Sequence, residues 1–88
     1  MEPTEVRKAL QHLLSRRGEL CSDDEIVVKS STTRSGRMLY VVIALNGVAS
    51  AVEQEIDSAT RRRASCGAGI WVLRHEQASE LVERSAGK

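Results

Sequence analysis

The feature that most constrains this chain is an unbroken apolar run from Met38 to Leu45, Met-Leu-Tyr-Val-Val-Ile-Ala-Leu. It is far too short to cross a bilayer as a helix, which takes about 20 residues. Val, Ile and Tyr favour strands, and a strand without polar alternation is one covered on both faces. The segment from Glu25 to Thr33 reads as its partner, with Ser35-Gly36 as a tight turn between them. A two-residue turn sets Val28 opposite Ile43 and Ile26 opposite Leu45. One face then carries Ile26, Val28, Leu39, Val41, Ile43 and Leu45. The other carries Val27, Met38, Tyr40, Val42 and Ala44, diluted by Lys29, Ser31 and Thr33.

Helical periodicity flanks this hairpin. Val6, Ala9, Leu10, Leu13 and Leu14 share one helix face, with Pro3 suited to the first turn and Gly18 to the stop. Residues 20–24 read as a linker. Asn46-Gly47 suits either a hairpin turn or the start of a helix. The helix is favoured, because Val48, Val52, Ile56, Ala59 and Arg63 keep helical spacing and Ser50 with Glu53 matches a capping box. Gly67-Ala68-Gly69 then ends that helix, Ile70 to Leu73 forms a short buried strand, and a last helix from His75 turns Ala78, Leu81 and Val82 inward.

The expected fold is thus α+β, in the order α-β-β-α-β-α. It has a three-stranded mixed sheet, an N-terminal β-hairpin packed by amphipathic helices, and a right-handed crossover that makes the last strand parallel to the second. Residues 1–88 form a single domain, with 1–2 and 85–88 fraying. The α-β-β-α-β order resembles one arrangement of the KH RNA-binding domain. The backbone-clamping G-x-x-G loop of that family is absent here, so the likeness implies topology and no activity.

Composition narrows the function classes. Thirteen basic and 12 acidic residues leave a formal charge of +1, unlike the basic excess of a dedicated DNA coat, and weak charge permits self-association. Met1 leads straight into charged residues, so the chain reads as cytoplasmic, away from membranes, with Cys21 and Cys66 reduced. His12, Cys21, Cys66 and His75 could ligate a metal, yet none are paired at ligand spacing, so no metal or cofactor is expected. Cys66 would sit at the negative end of a helix, which disfavours a reactive thiolate. The glycines at 67 and 69 precede a strand, whereas phosphate-cradling glycines precede a helix.

Two functional readings follow. The first is a non-enzymatic adaptor, regulator or inhibitor that binds a protein partner and is expected to act as a homodimer or other homo-oligomer. It would use an exposed edge strand or the apolar sheet face of Val27, Met38, Tyr40, Val42 and Ala44. The second is a nucleic-acid-binding module. It would use Lys29, Arg34 and Arg37 of the basic hairpin tip, where no acidic residue occurs between Ile26 and Val52, together with Arg61, Arg62 and Arg63 at a helix end.

Overall fold

The computed structural model describes residues 1–19, 24–45, 47–60, 65–67 and 69–87. Helix α1, Pro3–Arg16, forms where the apolar spacing requires it, burying Val6, Ala9, Leu10, Leu13 and Leu14. Pro3 sits in its first turn, and the Glu2 N–H donates to Glu5 Oε1 at 3.1 Å, satisfying one backbone donor at the helix start.

Strands β1, Ile26–Thr32, and β2, Met38–Ala44, form an antiparallel hairpin. Its register departs from the two-residue turn expected above. Thr33 N–H donates to Arg37 O at 2.9 Å, leaving a three-residue connection, Arg34-Ser35-Gly36, with Gly36 at φ 84°. A Gly in the left-handed region after a tight turn is the usual closure of such loops. The extra loop residue slides the pairing by one, so Ile26 faces Ala44 and Val28 faces Val42. Side chains alternate with period two, so this slip moves Ile26 and Val28 onto the face of Tyr40, Val42 and Ala44.

Helix α2, Ala49–Thr60, confirms the helical reading of the segment after Gly47. Val48, Val52 and Ile56 are buried. Ser50 lies inside the helix rather than at its cap. The helix also ends earlier than expected, because Ser65–Gly67 is a short strand, β3, that turns at Gly69 into β4, Ile70–Arg74. Helix α3, His75–Ala86, follows directly and buries Ala78 and Leu81, with Val82 half-buried.

The described residues therefore form an α+β fold, with three helices and an antiparallel sheet β1-β2-β4, extended at one edge by β3. The expected mixed sheet is corrected. β4 pairs antiparallel with β2, and β3 antiparallel with β4, so the strand that returns parallel to β2 is β3. The β3–β4 turn inserts β4 between them, which a single crossover could not foresee.

All three helices lie on one side of the sheet. Leu10, Leu14, Val52, Ile56 and Leu81 join Ile26, Tyr40, Val42, Trp71 and Leu73 in one buried cluster. Polar contacts hold the helices together. Arg16 donates to the carbonyls of Arg84, Ser85 and Gly87 at 3.2, 3.1 and 2.6 Å, pairing acceptors at the end of α3 that the helix leaves open. Arg17 Nη1 pairs with Glu55 Oε1 at 3.1 Å, and Nη2 donates to Gln54 Oε1, joining the end of α1 to α2.

The two turn glycines carry different loads. A Cβ at Gly36 would meet nothing within 4 Å, whereas one at Gly69 (φ 77°) would lie 2.8 Å from the Ala44 carbonyl oxygen. That oxygen belongs to the strand end fixed by Ala44 N–H donating to Gly69 O at 2.8 Å. Gly36→Ala is expected to cost about 1 kcal/mol, the backbone term alone. Gly69→Ala should cost at least twice as much, because backbone must move. Urea denaturation followed by the fluorescence of Trp71, the chain's single tryptophan, measures both.

Candidate functional site

Among the described residues, one-sided packing leaves the second sheet face without a helix. The register sets its side chains in three rows across β1, β2 and β4: Val27, Ile43, Ile70; then Lys29, Val41, Val72; then Ser31, Leu39, Arg74. Six of the nine are aliphatic. Val27, Leu39, Val41, Ile43 and Val72 are half-buried by their neighbours in the sheet, and Ile70 is 40% exposed. None belongs to the buried cluster under the helices. Leu45, beyond the end of β2, adds a further exposed apolar side chain.

The interface residues expected from sequence are divided by this geometry. Tyr40, Val42 and Ala44 are buried beneath the helices, and the Tyr40 hydroxyl donates to Met1 O at 3.0 Å. Val27 lies on the open face. Met38 has the inward parity of Tyr40 but stands at the strand end, 41% exposed. The apolar surplus read from β2 is real, but the surface it creates is Leu39, Val41 and Ile43 rather than Tyr40, Val42 and Ala44. The missing signal was the length of the loop, since Ser35-Gly36 fits a two-residue or a three-residue connection equally well.

A groove of about 640 Å³ opens at the end of the sheet, between the β1–β2 loop and the start of α3. Thr33, Ser35 and Arg37 line it from the loop, Met38 and Leu39 from β2, and Arg74, His75 and Glu76 from the β4–α3 junction. Thr33 and Ser35 share a hydroxyl–hydroxyl hydrogen bond of 2.9 Å, and Arg37 N–H donates to Thr33 Oγ1 at 3.1 Å. The Tyr40 and His75 rings are tilted, with centroids 6.4 Å apart.

Of the basic residues expected at a nucleic-acid surface, Lys29, Arg34 and Arg37 are exposed. Arg61, Arg62 and Arg63 lie outside the described residues, as do Cys21 and the side chain of Cys66. His12 and His75 are exposed and far apart in the fold order, one mid-α1 and one opening α3. Among the described residues no three His, Cys, Asp or Glu side chains gather as metal ligands, and no helix is long and apolar enough to cross a membrane. Arg74 was not singled out from sequence, because only the β2–β4 register brings it beside Leu39 and the hairpin loop.

Compared with known proteins, the chain matches no family model, no curated protein and no solved structure.

The assignment of covered and open faces has a direct test in neighbouring residues of one strand. Val42→Ala should destabilise by about 2 kcal/mol, through lost burial and a residual cavity. Val41→Ala, on the open face, should cost less than about 1 kcal/mol. Chemical denaturation monitored at Trp71 separates them.

Proposed function

We propose that this chain is a non-enzymatic protein-binding module that pairs with a second copy of itself through the open sheet face. The observation that carries the reading is the set of six aliphatic side chains left uncovered on β1, β2 and β4. Apolar patches of this kind mark contact surfaces.

The arrangement of charge on the face favours a second copy as the occupant. β2 is the middle strand of the three, so a twofold axis along β2 exchanges β1 with β4. Val27 then lies over Ile70 of the other copy, while Leu39, Val41 and Ile43 meet their own counterparts. The two cations of the face avoid each other: Lys29 lies over Val72, where its stem covers apolar surface and its ammonium reaches water, and Arg74 lies over Ser31. Within these three rows no like charges meet, and the net charge of +1 opposes association only weakly. Such a pair is two sheets packed face to face at about 10 Å.

The edge strands favour this less. β3 spans three residues, and the outer half of β1 is Lys29-Ser30-Ser31-Thr32, all exposed and polar. A lysine on an edge strand blunts strand addition.

Size sets the strength. Three strands by five residues give a footprint of roughly 250 Å². A standard interface buries about 800 Å² per partner. Pairing is therefore weak and concentration-dependent, as befits a regulator or adaptor whose face is also offered to a larger protein.

Sedimentation velocity over a concentration series tests the pairing. The wild-type mass should rise above the 9.7 kDa of one chain as concentration increases. Val41→Lys places an ammonium on the axis against its own copy and should hold the mass at one chain, with far-UV circular dichroism unchanged. A wild type that stays at one-chain mass throughout, or a Val41→Lys variant that pairs equally well, overturns the proposal.

A further inference from the structure

The groove between the hairpin loop and α3 has an electrostatic arrangement that its own residues leave unbalanced. α3 begins there: Arg74 is its N-cap, and His75 and Glu76 are its first two residues. A helix N-terminus carries partial positive charge, and the residues preferred at the cap supply an oxygen to its open N–H groups. Arg74 has no acceptor atom, and no side-chain hydrogen bond caps the helix. The Arg74 N–H instead donates to Gln77 Oε1 at 2.9 Å.

Arg37, from the hairpin loop, is a second arginine on the lining of the same groove. Among the described residues neither Arg37 nor Arg74 forms an ion pair. Thr33 and Ser35 add hydroxyls to the wall, and Met38 and Leu39 give it an apolar floor. Among the described residues Glu76 is the one carboxylate on the lining, so the lining carries two arginines and one negative charge. Like charges gathered at the positive end of a helix repel one another, and a bound anion relieves that repulsion. Planar guanidiniums hold phosphate oxygens in pairs. A volume of about 640 Å³ suits a small molecule.

We infer that this groove binds a small phosphate monoester, with the phosphoryl group between Arg37 and Arg74 and the organic part over Met38 and Leu39. The inference does not rest on pairing through the open face, although the two surfaces share Leu39 and Arg74. Binding is therefore measured on both the wild type and Val41→Lys, so that failure of pairing leaves this test intact.

The probe is phenyl phosphate, titrated into ¹⁵N-labelled protein, with phenol and inorganic phosphate as separate arms. Phenyl phosphate should shift the amide resonances of residues 33–39 and 74–77 saturably. Inorganic phosphate should shift the same residues more weakly, and phenol should leave them unmoved. Arg37→Ala and Arg74→Ala should each weaken binding roughly tenfold, the loss of one charge-assisted contact. Glu76→Gln should tighten it, an effect opposite in sign that general loss of structure cannot imitate. The proposal is overturned if phenyl phosphate shifts nothing in the groove, or if the arginine variants bind as well as the wild type. It is equally overturned if a single-stranded oligonucleotide shifts these residues and phenyl phosphate does not.

Discussion

The hydrogen bond from Thr33 N–H to Arg37 O decides the rest of the structure. It closes a connection of three residues rather than two and so fixes the register of β1 on β2. With β1 and β2 in register, Ile26 and Val28 share a face with Tyr40, Val42 and Ala44. β4 adds Trp71 and Leu73 to that face by its own pairing. Three amphipathic helices then have one apolar surface to cover, and they cover it. The aliphatic side chains of the opposite parity are left in contact with solvent. A shift of one residue in the loop would have sent the β1 side chains to the opposite faces relative to those of β2 and β4.

The polar contacts confirm the one-sided arrangement instead of creating it. Arg16 reaches from the end of α1 to the last carbonyls of α3, and Arg17 reaches from the same place to Glu55 on α2. Both tie helix to helix. Glu55 is 7% exposed, so removing Arg17 would strand a buried carboxylate. Since Arg17 is itself partly exposed to solvent, the pair contributes modestly, and the apolar cluster supplies most of the stability.

Much of this was legible in the sequence. The helix faces of α1 and α3 follow from spacing alone, because a period of 3.6 residues is unambiguous over three turns. α2 could be told from a third strand by its Ala, Glu and Gln. What could not be read was set by turns. Ser35-Gly36 does not declare whether Arg34 belongs to the strand or to the loop, and Gly67-Ala68-Gly69 serves a helix stop and a hairpin turn equally. The first ambiguity set the β1 side chains on the wrong faces relative to those of β2, and the second hid β3 and reversed β4. The candidate site was legible as a surplus of apolar strand surface, but its residues were not. The groove was illegible altogether, since Arg37 and Arg74 are brought together by strand pairing across 37 positions of sequence.

The proposed pairing sets the open face against a second copy across an axis along β2. Intermolecular nuclear Overhauser effects in a mixture of methyl-labelled and unlabelled protein test it most directly. Contacts are expected between Val27 of one copy and Ile70 of the other, and between the Ile43 methyls of the two copies. Intermolecular contacts confined to the β1 edge, or none at all at concentrations where the protein associates, would contradict it.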